Sequence, residues 1–248
     1  MAMAWLATLM DRLRAAQGTR PGAQQRRILS IIGRRDAFPD ESRLLDALSA
    51  ELAAVAEPDS IEERTVELLA AHLRGPGGEG FERAGAPLAR QLDFWQALAR
   101  RSGSPLARAC RADLLLLAGQ ADRALDEFLD AVEGDASLVH FRPELEALAR
   151  ERAGEAHLRY RMACLRAALA GFRPDGEPGD AERGDDPDDG QDDGQDDDYV
   201  RELYGELLDE HRGDPDALAR IRELGALIDQ AVDRGDLPRA IVRRAPRP

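Results

Sequence analysis

The residues best suited to do chemistry are the aspartates of GDDPDDGQDDGQDDDYV, residues 184–200. Clustered carboxylates supply the oxygen ligands that calcium and magnesium prefer. A calcium-binding EF-hand loop needs oxygen ligands at positions 1, 3 and 5, glycine at position 6 and an acid at position 12. A loop that begins at Asp185 has Pro187 at position 3, and one that begins at Asp189 has Val200 at position 12. We therefore predict no specific calcium site in this stretch.

The same aspartates have the DDxxD spacing with which prenyl-diphosphate enzymes hold magnesium. In those enzymes the carboxylates project from one face of a helix into a deep apolar cavity. Pro187 and the flanking glycines disfavour a helix, and the aromatic residues that line such cavities make up only 4% of the chain. No nucleophile, base or metal cluster can be assembled elsewhere in the sequence. We therefore predict a protein that is not an enzyme and that has no metal and no cofactor.

Cysteines and histidines do not have the spacing of metal ligands. Cys110 and Cys164 lie far apart, and no histidine pair has a ligand spacing such as HExxH. The four histidines are His72, His140, His157 and His211. Free cysteines fit a reducing compartment, and no apolar run approaches the roughly 18 residues of a membrane-spanning helix. We expect a soluble, cytoplasmic protein, and the use of arginine for all 34 basic residues is typical of a GC-rich bacterial genome.

Nearly all of the net charge of −14 lies in one stretch. Residues 175–198 contain thirteen acidic residues and one arginine, a net charge of −12. The repeated DDGQ is too simple to hold carboxylates in a fixed pattern like that of nucleic-acid phosphates. We predict a disordered acidic linker over residues 173–198. A coil of this length spans roughly 25–30 Å, so it could also be a loop within one helical stack.

Positive charge gathers at the N-terminus, where residues 1–35 carry seven arginines and one aspartate. Arg12, Arg14, Arg26 and Arg27 are candidate contacts with an anionic partner such as nucleic acid, an acidic protein or an anionic membrane surface. Aromatic side chains, on which single-stranded bases stack, do not interleave with these arginines. The segment leaves open one alternative function, an accessory subunit of a nucleic-acid-associated complex.

Helical signals recur along the chain, and no convincing strand alternation appears. Alanine and leucine dominate the apolar residues and β-branched residues are sparse, which favours helices. Asp40 can cap one helix, Ser60 and Glu63 have the form of a capping box, and Ser104 followed by Pro105 can open another. Short connections between these helices are typical of antiparallel hairpins. We predict an all-α protein.

One stretch, residues 105–138, resembles a tetratricopeptide (TPR) repeat. Gly119 at the turn, Ala124, Phe128 and Ala131 match the pattern of its second helix, in which small residues let two helices approach and the aromatic residue fills the gap between hairpins. The first helix places Ala112 at its small position and Leu115 where tyrosine is usual. Three positions depart from the pattern: Arg108, Arg111 and Ala136.

A second, partial match covers residues 215–244. Ile221, Leu224, Gly225 and Ile228 have the spacing of a first TPR helix, in which Leu-Gly is the usual pair. The resemblance implies antiparallel hairpins stacked as a TPR-like α-solenoid. We divide the chain into a basic-faced helical segment over 1–74, a TPR-like region over 81–172, the acidic linker over 173–198 and a C-terminal helical segment over 199–244.

The resemblance implies a protein–protein interaction adaptor that binds another protein or a peptide in a helical groove. In such repeats the first helix lines the groove, which implies Leu106, Ala109, Asp113 and Leu116 as the partner-binding residues. These are not the lysine and asparagine set with which some repeats clamp a C-terminal carboxylate. The sequence indicates no oligomeric state.

Overall fold

The computed structural model describes residues 22–54, 61–73, 87–169 and 195–234, and every regular element in these ranges is helical. The prediction of an all-α chain is confirmed for this part of the protein. The chain divides into two compact units, Met1–Ala149 and Arg150–Pro248. The basic segment 1–21, the glycine-rich break at 75–80 and most of the acidic stretch lie outside the described residues.

The first unit contains α1 (Ala23–Ile32), α2 (Glu41–Ala53), α3 (Glu63–Leu73), α4 (Leu88–Ser102), α5 (Pro105–Leu117), α6 (Ala121–Gly134) and most of α7 (Pro143–Glu151). Two short 3₁₀ turns lie at Arg35–Ala37 and Ala136–His140. The second unit contains α8 (Glu155–Leu169), α9 (Gln195–Glu210) and α10 (Pro215–Arg234). None of the described helices is long and apolar enough to cross a membrane.

The predicted caps open helices in the first unit. The Asp40 carboxylate accepts a hydrogen bond of 2.8 Å from the backbone N–H of Arg43, and α2 begins at the next residue. The Ser104 hydroxyl accepts one of 3.2 Å from the N–H of Ala107, and Pro105 is the first residue of α5. Each cap satisfies an N–H that would otherwise have no partner within its helix, which stabilises the helix by about 1 kcal/mol. The capping box at Ser60 lies outside the described residues.

The densest packing of the first unit is between α5 and α6, which a three-residue turn joins. Gly119 in that turn has φ +72°, a left-handed conformation that glycine adopts without strain. Ala112, Ala124 and Ala131 are fully buried, as is Phe128. These are positions at which the TPR pattern requires small or aromatic residues, but tight burial of this kind is expected of any close helical hairpin, so the family assignment stays a prediction.

One apolar core joins the three helices of the second unit. Its buried residues come from α8, α9 and α10: Leu158, Met162, Leu165, Val200, Leu203, Leu207, Ala217, Ile221 and Leu224. Residues 170–194, which hold most of the acidic stretch, are therefore the connection between two helices of one bundle. We predict a disordered linker over 173–198, with a loop within one helical stack as the alternative. Most of that range lies outside the described residues, so both stay predictions. Within the predicted range, α9 already begins at Gln195.

Candidate functional site

The four predicted partner-binding residues form one row along α5, but most of the row is enclosed. Leu106 is 4% exposed, and Ala109 and Asp113 are fully buried. Leu116 is partly exposed. A partner can therefore reach Leu116 directly, whereas contact with the other three residues requires the parts of the protein that cover them to move. The assignment of the row to partner binding stays a prediction.

Asp113 is the unusual member of this row, because it is a carboxylate enclosed on an otherwise apolar face. Its Oδ1 lies 2.8 Å from Nη1 of Arg142, and that arginine side chain is only 12% exposed. Nε of Arg142 donates a hydrogen bond of 2.8 Å to Oε2 of Glu144, whose side chain is 60% exposed. The guanidinium therefore forms an ion pair with one buried carboxylate and a charge-assisted hydrogen bond with one solvent-facing carboxylate.

The segment that carries Arg142 is fixed by its own polar and apolar contacts. The Asp135 carboxylate accepts hydrogen bonds from the N–H and the hydroxyl of Ser137, at 3.0 and 2.6 Å, and this starts the 3₁₀ turn. Three apolar residues of the segment are buried: Leu138, Val139 and Phe141. Pro143 then opens α7. Because the backbone is held on both sides, Arg142 is placed against Asp113 by the turn.

A second polar pair spans the same turn. Nδ1 of His140 lies 3.1 Å from Oε1 of Glu146, which is on α7, and both side chains are largely buried. The pair ties the end of the 3₁₀ turn to the first turns of α7. Together with Arg142 and Asp113 it makes this corner of the first unit a compact group of buried charged and polar side chains.

The arginines that depart from the TPR pattern have a local explanation. Nη1 of Arg108 lies 3.2 Å from Oδ2 of Asp130, and Arg111 is ion-paired with Glu127. Both pairs cross from α5 to α6. The two arginines therefore contribute ion pairs between the helices of the hairpin.

The described part of the basic segment is neutralised by the helix that follows it. Arg27 is ion-paired with Glu51, and Nη2 of Arg35 lies 2.8 Å from Oε1 of Glu41. Residues 22–54 contain five arginines and five acidic residues, so this stretch has no net charge. Arg26 is exposed. Arg12 and Arg14 lie outside the described residues, so the structure does not bring the four candidate arginines together.

The chemistry of the remaining residue clusters is limited within the described ranges. No group of three histidine, cysteine or acidic side chains there is placed to hold a metal ion. The aspartates of residues 185–189 lie outside those ranges. Cys110 is buried and Cys164 is partly buried, and no disulfide joins them. Within the described ranges, the structure therefore adds no metal site to those considered from the sequence.

The sequence reasoning missed Arg142. It lies 29 residues beyond Asp113, in a stretch between two helices that carries no recognisable motif. The one available signal is its position between a buried phenylalanine and the proline that opens α7. Comparison with protein-family models, curated proteins and solved structures finds no match to this chain.

Proposed function

We propose that this protein is a non-enzymatic adaptor that binds another protein or a peptide on a TPR-like stack of helices in its first unit. The observation that carries the proposal is the sequence of α4, α5 and α6, which are joined by connections of two and three residues. Helices connected in this way pack side by side and offer the grooves in which helical-repeat proteins hold their ligands.

The contacts between α5 and α6 support this role, because an adaptor must hold its binding surface in one shape. Fully buried Ala112, Ala124 and Ala131 allow the close approach of the two helices. A Cβ on Gly134 would come within 2.8 Å of Pro105, so the end of α6 also lies directly against the start of α5. A surface fixed before binding loses little conformational entropy when a partner arrives.

Leu116 is the residue through which the groove hypothesis can be tested without disturbing the core. It belongs to the predicted row and is partly exposed. Ala97 is exposed on α4 and lies outside the row, which makes Ala97→Glu a matched control for Leu116→Glu.

The experiment is quantitative affinity capture from native cell extract with the wild-type chain and both glutamate variants. We expect the wild type and Ala97→Glu to enrich the same small set of proteins. Leu116→Glu should lose them, because a charge buried in an apolar contact loses its hydration. Circular dichroism must show equal helix content in all three chains. Identical capture by Leu116→Glu and Ala97→Glu would contradict the proposal.

The alternative, an accessory subunit of a nucleic-acid-associated complex, requires Arg12, Arg14, Arg26 and Arg27 to contact phosphates. The ion pair between Arg27 and Glu51 counts against it, because one of these arginines is already matched by an acid. A salt titration separates the two functions. Binding to a 20-base-pair duplex probe through phosphates must weaken steeply with salt, whereas a groove contact should change little.

A further inference from the structure

Asp113 is a fully buried carboxylate whose neighbours in the row on α5 are alanine and leucine. Burial of a carboxylate is unfavourable unless a cation and further hydrogen bonds compensate it. Even a compensated ion pair is often no more stabilising than an apolar pair of the same volume. The burial of Asp113 by itself therefore does not account for an aspartate at this position, whereas the binding of a cation does.

The cation that this carboxylate selects is a guanidinium. Arg142 presents Nη1 to Asp113 and Nε to Glu144, each at 2.8 Å, so two nitrogens of one planar group contact two separate acids. A guanidinium holds its two contacting nitrogens at a fixed separation, whereas a lysine ammonium is a compact point charge without that geometry. Because Glu144 is 60% exposed, the pair of acids extends from the interior to the surface of the protein.

From this geometry we infer that Asp113 and Glu144 form a receptor for an arginine side chain, that Arg142 occupies it within the chain, and that the partner of the adaptor supplies an arginine that takes its place. The inference rests on the proposed function, and it gives a role to the enclosed Asp113 of the predicted row: the chain holds its own arginine there. The exchange replaces one guanidinium with another, so the buried carboxylate keeps a cation in both states.

The test uses N-acetyl-argininamide as the probe and isothermal titration calorimetry as the measurement. Arg142→Ala empties the receptor, and we expect it to bind the probe about tenfold or more tightly than the wild type does, because an internal competitor lowers apparent affinity by the fraction of open sites. The double variant Asp113→Asn/Arg142→Ala should lose this binding, and N-acetyl-lysinamide should not bind Arg142→Ala.

Arg108→Ala is the matched control, because it removes an ion-paired arginine from α5 whose partner, Asp130, is solvent-exposed. It should bind the probe no better than the wild type. If Arg142→Ala does not fold, Arg142→Lys retains a cation at the site and should bind the probe with an affinity above that of the wild type. The inference is wrong if no folded Arg142 variant binds the probe more tightly than the wild type, or if removal of Asp113 leaves that binding intact.

The results distinguish a failure of the arginine receptor from a failure of the proposed function. Loss of probe binding with partner capture intact would remove the arginine receptor and leave the adaptor. If the Arg142→Ala variant binds the probe while no captured protein depends on Leu116, that result would support the guanidinium site and contradict the adaptor function.

Discussion

Two antiparallel helix pairs, α5/α6 in the first unit and α8/α9 in the second, are held by the same kind of contact but joined by very different connections. Arg108 pairs with Asp130, and Arg111 pairs with Glu127. The two residue numbers of each pair add up to the same value, as expected of antiparallel helices in one register. In the second unit Arg161 pairs with Glu206, and Nε2 of His157 lies 3.7 Å from Glu210, again with a constant sum. In each case the basic residue is on the earlier helix.

The connections differ in length by a factor of about eight. Three residues separate α5 from α6, whereas 25 residues separate α8 from α9. The short turn allows few registers, so the register of the first pair is largely set by the chain itself. Closing the longer loop costs about 2 kcal/mol more by loop entropy alone. The second pair must therefore obtain its register from its apolar core and its ion pairs.

Equal truncations in the two cores should have the largest effect. Leu129 on α6 and Leu207 on α9 are both almost fully buried, and replacing either with alanine should cost about 2–5 kcal/mol. Hydrogen exchange should show lost amide protection in α5/α6 for Leu129→Ala and in α8/α9 for Leu207→Ala. Unchanged protection of α9 in Leu207→Ala would show that the apolar core does not hold the second pair.

The next largest effect concerns the close approach of α9 and α10. A Cβ on Gly225 would lie within 3.0 Å of Cζ of Tyr204 and closer still to its hydroxyl. We expect Gly225→Ala to lower the free energy of unfolding by about 1–3 kcal/mol through overpacking.

Gly205 on α9 provides the matched control, since nothing lies within 4 Å of its added Cβ. Gly205→Ala should stabilise the helix by up to about 1 kcal/mol, because alanine has the higher helix propensity. Urea unfolding of Gly225→Ala, of Gly205→Ala and of the double variant Tyr204→Phe/Gly225→Ala measures the energetic cost of the contact between residue 225 and Tyr204. A stabilising effect of Gly225→Ala would contradict the close approach.

Shortening the connection between α8 and α9 should make the two helix pairs more alike in the cost of loop closure. Replacing residues 170–194 with eight glycine and serine residues should raise the stability of the second unit by about 1 kcal/mol, because loop closure becomes less costly. Urea unfolding at 0.5 M salt measures the effect with electrostatic repulsion screened. Equal stability of the two chains would show that loop length does not distinguish the pairs.

The ion pairs should contribute less than the loop. A double-mutant cycle between Arg111 and Glu127, whose side chains are 13% and 21% exposed, should give a coupling of about 0.5–1 kcal/mol. The cycle between Arg161 and Glu206 should give less, because Glu206 is 48% exposed and more strongly screened. A larger coupling in the second unit would mean that ion pairs, more than the core, set its register.

The smallest effect should come from His72, at the end of α3. Partial burial, together with the positive charge of Arg35, lowers the pKa of His72 below its ordinary value of 6.5. The unfolded chain therefore takes up this proton at a higher pH than the folded chain, so stability present above pH 6.5 is lost as the pH falls through the lowered pKa.

The test for His72 compares unfolding free energies of the wild type and His72→Gln between pH 7.5 and 5.5. The wild type should lose more stability than the variant over this range. The difference should be small because the burial of His72 is only partial and the rest of the residue is accessible to water. Parallel pH profiles for the two chains would show that His72 does not contribute.

Local signals in the sequence predicted the helices and several of their first residues. Asp40 and Ser104 cap helices through contacts with residues three positions away, which a sequence pattern can reveal. Short connections between helices predicted antiparallel hairpins, of which α5/α6 is one. Periodicity in a sequence shows which face of a helix is apolar, but it does not show what covers that face.

The parts that could not be predicted depend on contacts between distant residues. Arg142 meets Asp113 across 29 positions, through a turn whose geometry depends on the burial of its apolar residues. Arg27 meets Glu51 across 24 positions, so one arginine of the basic segment is paired with an acid of the following helix. The resemblance implies a groove lined by α5, and the residue types predict a basic face. The sequence did not reveal that Asp113 of that row and Arg27 of that face are each ion-paired.

The antiparallel register of α8 and α9 also has a practical consequence for anyone who wishes to modify this protein. Leu169 ends α8, and Leu169 and Val200 belong to the same core, so the chain leaves and re-enters the bundle at one end. A connection of this kind tolerates added length at little thermodynamic cost. Residues 170–194 are accordingly the natural place to insert a fluorescent reporter or a cross-linking tag, or to open new termini by circular permutation.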